Sequence, residues 1–172
     1  MNPSNCLIRV EVSSDISAIY AAHAQAFPTE AEAKLVNQLR ASHHLSLSLV
    51  AKVEGRVVGH IAFSPITVAN ISYHHQPLGI APVGVIPKWQ HRGIGSALIQ
   101  SGLEQCLLLN VPFVVVLGEP SFYSRFGFGP AHRFGLENEY GAGEAFMVKT
   151  LAGDESDISS GLVHYGPEFA EL

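Results

Sequence analysis

The sequence predicts a mixed α/β, or α+β, protein rather than a doubly wound parallel sheet. Three observations carry that reading. The elements run strand, two helices, antiparallel strands, a long helix, a strand, a short helix and late strands. The chain has 172 residues, and at roughly 150 residues per domain it is expected to be one domain spanning positions 1–172. Apolar residues make up 47% and charged residues only 15%. That balance supports a sizeable core and excludes a disordered chain, which needs the opposite.

Each element has its own signal. Cys6 to Glu11 reads as a first strand. Ser13-Ser14-Asp15 offers helix caps, and Ile16, Ile19, Tyr20, His23 and Phe27 follow at helical spacing, predicting a helix over 15–27 that Pro28 stops. Thr29 with Glu32 fits a capping box, and the helix behind it presents Leu35, Val36 and Leu39. Ser46 to Val53, the tight turn Glu54-Gly55, and Arg56 to Val68 with Gly59 inside predict a hairpin. Asn70 to Pro77 is turn-rich, and Leu78 to Ile86 is the next strand, closed by Pro87. A helix is expected from about Gly93 to Leu109. Phe113 to Leu117, β-branched and aromatic throughout, reads as a strand buried on both faces. Glu119-Pro120 opens a short helix ending at Gly127. Phe128 onward, Ala145 to Leu151 and Gly161 to Tyr165 are late strands, with a surface loop over 152–160.

Charge and composition exclude several functions. Ten Lys and Arg stand against 15 Asp and Glu, a formal net charge of -5. A phosphate-backbone binder usually carries a basic face, so no nucleic-acid partner is expected. The densest apolar stretch, Val111 to Leu117, is far short of the ~20 residues a membrane helix needs. Met1-Asn2-Pro3-Ser4-Asn5 has no basic flank or apolar follow-on, so no signal peptide is read and the expected location is the cytoplasm. Cys6 and Cys106 form neither a metal spacing nor a redox motif. Nine histidines include the pairs His43-His44 and His74-His75, whose side chains should diverge; without a His-x-x-x-His or Cys/His grouping, no metal is expected. His60, beside Gly59, reads as a core or edge histidine, Trp89 as packing, and Asp154 to Asp157 as a solvated run.

The chemistry lies in Val85-Ile86-Pro87-Lys88-Trp89-Gln90-His91-Arg92-Gly93-Ile94-Gly95-Ser96-Ala97-Leu98. A strand ends, a glycine-bearing turn follows and a helix begins. Glycines let successive N–H groups converge, and a helix start adds unpaired N–H groups with partial positive charge, which together suit phosphate oxygens. No Gly-Lys-Ser/Thr follows, and Leu98 stands at the third glycine position of a dinucleotide fingerprint, so neither of those loops is matched.

The spacing Gln-x-x-Gly-x-Gly, after Val-x-Pro and before an Ala-Leu helix, resembles the acyl-CoA pyrophosphate loop of the GCN5-related N-acetyltransferase (GNAT) family. Ser121-Phe122-Tyr123-Ser124-Arg125-Phe126-Gly127-Phe128 is similar to that family's later aromatic element. The ending Gly161-Leu162-Val163-His164-Tyr165, with Phe169, looks like a bacterial subgroup of it. The resemblance implies a central, mostly antiparallel sheet whose fourth and fifth strands are parallel and splayed, with flanking helices.

It also implies a reaction: direct attack of a primary amine on the thioester of acetyl-CoA in a ternary complex. By the resemblance, the diphosphate sits on the turn formed by Gln90, His91, Arg92, Gly93, Ile94, Gly95 and Ser96, and the pantetheine arm pairs with Val83, Gly84 and Val85. An amide near Val85 would face the oxyanion, and Tyr123 would protonate the leaving thiolate. The strand Leu78 to Ile86 carries no acid, where some relatives have one; Glu119 is the candidate base. Phe27 and Glu30, near the first interhelix turn, would contact the small-molecule or peptide amine. An alternative is a non-catalytic acyl-CoA-binding sensor or assembly module; a nucleotide-phosphate binder is a third reading. The low charged fraction points to a self-association surface, hence a homodimer.

Overall fold

The structure is a computed structural model that describes residues 5–172. The reading of the first four residues as free of a targeting signal lies outside the described residues. In chain order the elements are β1 (Cys6–Val10), α1 (Ile16–Ala26), α2 (Ala31–Ala41), β2 (Leu47–Val53), β3 (Arg56–Pro65), β4 (Thr67–Val68), β5 (Leu78–Val85), α3 (Ile94–Leu108), β6 (Phe113–Leu117), α4 (Pro120–Tyr123), β7 (Gly129–Pro130), β8 (Leu136–Asn138), β9 (Phe146–Thr150) and β10 (Gly161–His164), with short 3₁₀ turns among them. The chain groups into two compact units. The first holds the segments up to Phe63, Ala81–Gly102 and Pro167–Leu172; the second holds Ser64–Ile80 and Leu103–Gly166.

In the first unit the strand order is β1-β2-β3-β5. β1 pairs antiparallel with β2, from Cys6↔Val53 to Val10↔Leu49. The β2–β3 hairpin turns at Glu54 and Gly55, whose φ values of 50° and 78° suit the tight two-residue turn. Its register shifts between Ala51 and Lys52, which leaves Val58 as the extra residue of a bulge. Gly59 lies beside it, where a Cβ would come within 3.2 Å of the Gly84 carbonyl oxygen and of Leu98. α1 and α2 cover the sheet by burying Ile19 and Val36 on Val50 and Ala62. The α2 positions read from its periodicity, Leu35, Val36 and Leu39, are all buried.

Two helix starts differ from expectation. The segment over 13–27 divides into a 3₁₀ turn, Ser13–Asp15, and α1, because the Asp15 carboxylate accepts the Val12 N–H at 2.9 Å and is gripped by Arg9. The box at α2 does not close: the Thr29 hydroxyl accepts from Ala31 N–H at 3.3 Å, while the half-buried Glu32 has one carboxylate oxygen shielded and unpartnered.

The second unit runs β5-β6-β9-β7. β5 is parallel to β6 through Leu78↔Val114, Gly79↔Val115 and Ile80↔Val116, and β9 is antiparallel to β6. Phe113 to Val116 are buried on both faces, as their composition implied. The sequence reading of one strand over 56–68 is corrected here: β3 stops at Pro65, which has no N–H to continue a ladder, and β4 joins a second sheet, β4-β10-β8. Phe113, Val115, Leu136, Phe146, Val148 and Val163 form the core between those strands. No helix among the described residues is long and apolar enough to cross a membrane, and both cysteines are free.

Phe63 is fully buried and sits where a Cβ on Gly102 would approach its ring to 2.5 Å. Phe63→Ala is therefore expected to cost about 3–5 kcal/mol of stability, read by urea denaturation; a loss under about 1 kcal/mol would contradict this packing.

Candidate active site

The first half of the site is the bend between β5 and α3. Pro87–Trp89 forms a 3₁₀ turn, and Gln90, His91, Arg92 and Gly93 are exposed. His91 and Gly93 both have left-handed backbones, φ 59° and 81°. That geometry turns neighbouring amides toward a common side, the concave arrangement that binds anions. Ala97 N–H donates to the Gly93 carbonyl at 3.0 Å, closing the first turn of α3. Among the described residues, the amides of His91, Gly93, Ile94 and Gly95 make no backbone hydrogen bond outside the helix. Gln90 is different. Its own N–H is bonded to the Pro87 carbonyl at 3.2 Å, and its side chain donates to the Val85 carbonyl at 2.9 Å. It ties the bend to the end of β5. The Arg92 guanidinium lies 5.0 Å over the Trp89 ring, which gives Trp89 a role beyond packing.

β5 prepares the other edge. Its ladder with β6 ends at Ile80, and Pro82 follows with no N–H to donate. Val83, Gly84 and Val85 continue the strand beyond that last paired residue.

Tyr123 and Glu119 lie in the second unit. Tyr123 is buried on α4, its ring edge-on to Phe122 and Phe128. A Cβ on Gly118 would collide with that ring. Burial pushes the Tyr123 phenol up to about 12, so it is protonated at neutral pH. Glu119 is the N-cap of α4 and is exposed; its Oε1 accepts the Ser121 hydroxyl at 3.1 Å and the Ser121 N–H at 3.5 Å.

Phe27 ends α1 and stacks on His23 at 5.9 Å between ring centroids. Glu30, exposed at the start of α2, lines a cavity of about 230 Å³ with Lys34, Gln38 and Glu168.

Sequence reading missed a buried polar chain in the first unit. His23 Nε2 lies 2.8 Å from His60 Nδ1, and His60 Nε2 lies 2.7 Å from Ser48 Oγ. The Ser48 hydroxyl donates to Glu11, whose two oxygens are held by Arg40 at 2.8 and 2.9 Å. His23 and His60 are fully buried. Burial brings His23 down to about 3 and also lowers His60. Glu11 is held well below the usual carboxylate range: burial acts to raise it, but bonds from Arg40 and Ser48 and the nearby His60 ring outweigh that cost. The signal was present in two polar positions, Ser48 and His60, inside apolar strands. The pair His74-His75 also differs from expectation: the rings meet edge-on at 4.7 Å instead of diverging. Among the described residues no group of three or more His, Cys, Asp or Glu is placed to hold a metal ion.

Comparison with known proteins agrees with this layout. The acetyltransferase (GNAT) domain profile matches residues 8–131. The protein named "Uncharacterized N-acetyltransferase YhbS" from Escherichia coli K12 is 40% identical over 165 residues, covering 95% of this chain and 98% of its own. "Uncharacterized N-acetyltransferase YjhQ" from the same strain is 39% identical over 119 residues, covering 68% and 66%. Among solved structures, E. coli YhbS in complex with CoA superposes with a TM-score of 0.90 at 38% identity, covering 96% of this chain and 92% of that one. A GNAT family acetyltransferase from Brucella melitensis in complex with acetyl-CoA gives 0.79 at 32%, covering 95% and 97%.

The two buried histidines predict an acid limit to stability. In the unfolded chain a histidine takes up a proton near pH 6.5; in the fold burial brings His23 down to about 3 and lowers His60 as well. The unfolded state then binds more protons, so stability present above about pH 6.5 is lost as pH falls, at up to about 1.4 kcal/mol per pH unit for each histidine. Urea midpoints at pH 7.5 and 5.5 should show the loss; equal midpoints would contradict it.

Proposed function

Because this chain belongs to the GNAT acetyltransferase family and is an N-acetyltransferase by that membership, we propose that it carries the acetyl group of acetyl-CoA to a primary amine by direct attack within a ternary complex. The observation that carries this reading is the bend at the end of β5. Exposed amides with left-handed geometry at His91 and Gly93 open the 15-residue helix α3, and the relatives with matching folds are bound to CoA or acetyl-CoA. The diphosphate would rest on the amides of His91, Arg92, Gly93, Ile94, Gly95 and Ser96, with Gln90 fixing the turn. The pantetheine arm would pair with Val83, Gly84 and Val85 past the end of the β6 ladder. An amide near Val85 would receive the oxyanion of the tetrahedral adduct, a contact worth roughly 3 kcal/mol. Tyr123 would donate its proton to the departing sulfur. Phe27 and Glu30 would meet the acceptor, and a homodimer remains part of this proposal.

Glu119 is the base that the sequence offers. Its engagement as the cap of α4 supports the second reading, an acyl-CoA-binding module without useful catalysis.

Calorimetry with acetyl-CoA should show saturable binding; no heat at millimolar ligand would remove both readings. Gly93→Ala places a β-carbon on a left-handed backbone at a cost of about 1–2 kcal/mol and should weaken acetyl-CoA binding roughly tenfold without unfolding the protein. Tyr123→Phe should lower kcat about 10²-fold while leaving acetyl-CoA affinity intact. Unchanged thiol release across an amine panel would favour the binding module or a route that does not need Tyr123.

A further inference from the structure

We propose that His23 Nδ1 takes the proton from the attacking amine, at the inner end of a relay that runs through His60 and Ser48 to Glu11. This rests on the reading that β5 presents the thioester at Val83–Val85.

The direction of the relay follows from its outer end. The Glu11 carboxylate is ionised, held by two Arg40 bonds, and can only accept. The Ser48 hydroxyl gives its proton to Glu11, so Ser48 Oγ must accept from His60 Nε2–H at 2.7 Å. His60 Nδ1 then carries a lone pair and accepts from His23 Nε2–H at 2.8 Å. His23 Nδ1 is left with a bare lone pair. It is fully buried and is a ring nitrogen without a hydrogen-bond partner. It also faces β5: a Cβ on Gly84 would stand 2.6 Å from it. A buried acceptor without a partner is destabilising, and here it borders the segment assigned to the thioester. At the far end, Glu11 and Arg40 line a cavity of about 360 Å³ with His43, Leu45 and Ser46.

The chemistry balances. A neutral amine attacks the carbonyl carbon, the C–N bond forms and the nitrogen becomes cationic. One of its protons passes to His23 Nδ1 while the His23 Nε2 proton moves to His60 Nδ1. The His60 Nε2 proton moves to Ser48, and the Ser48 proton passes by way of the Glu11 carboxylate to water without resting on it; between turnovers the His23 Nδ1 proton leaves to water as one re-enters at Glu11, which restores both tautomers. As the C–S bond breaks, its electron pair leaves on sulfur, which Tyr123 protonates before recovering a proton from solvent. His23 is the catalytic residue of this relay; His60, Ser48 and Glu11 are positioning residues.

The test combines an acceptor-free measurement with kinetics. Nitrogen-15 imidazole spectra of the wild-type protein should show His23 neutral at pH 7, protonated at Nε2 and bare at Nδ1. A proton on Nδ1, or a charged His23, overturns the relay. Thiol release from acetyl-CoA is then measured with tyramine, spermidine and a lysine peptide as probe amines. His23→Gln should lower kcat about 10²-fold with acetyl-CoA affinity within twofold of wild type. Ser48→Ala, farther from the reacting atoms, should lower kcat about tenfold and turn a curved rate dependence on D₂O fraction into a straight line. If His23→Gln keeps the wild-type kcat, or Ser48→Ala keeps the curved dependence, the relay is wrong while acetyl transfer stands. If wild type binds no acetyl-CoA, the acetyl-transfer reading falls and takes this role with it.

Discussion

The end of one strand sets the backbone of the bend that follows it. β5 is laddered to β6 only as far as Ile80, yet it continues to Val85. Backbone polar groups left without a ladder must find partners or present themselves to a ligand. The protein resolves part of this locally. Ile86 N–H reaches the Val58 carbonyl at 2.9 Å, and Gln90 reaches back to the Val85 carbonyl. Those bonds hold the strand end and the bend in fixed register, so the amides that follow open α3 in one geometry. A bend of this kind presents backbone donors without calling on lysine, in a chain that carries only 10 basic residues.

The elements with strong local codes were legible. The Glu54-Gly55 hairpin turn, the valine run of β6, the Pro120 start of α4, the Gly127 cap of the 3₁₀ turn behind it, and the glycine bend before α3 each follow from one residue type meeting one backbone requirement. The two compact units, the second sheet and the transfer of Thr67–Val68 into it were not legible. They depend on pairings between residues far apart in sequence, such as Val68 with Val163, which no local pattern specifies. Thr29 and Glu32 show the opposite failure. The local code for a capping box was complete, yet Glu32 makes no bond back to the cap and one of its oxygens is shielded without a partner.

The glycine bend and Tyr123 could be singled out from spacing because they sit in short contiguous motifs. The histidine chain could not. Its members come from the end of β1, from α1, α2, β2 and β3, and each alone reads as an ordinary polar residue. Only the fold shows that Ser48 and His60 share the face covered by α1, where Val50 pairs with His60 and also packs on Ile19. A buried network of this kind is demanding because every member must be satisfied. Here one nitrogen is not, and it is the one that faces the strand end.

The contact between the imidazole of His23 and the bare α-carbon of Gly84 makes those two positions mutually exclusive in size. A methyl group on one requires a smaller ring or none on the other. Enlarging position 84 while His23 is in place produces a steric collision. Reshaping this end of β5 by stepwise mutation would therefore have to begin on the helix, with a smaller residue at position 23.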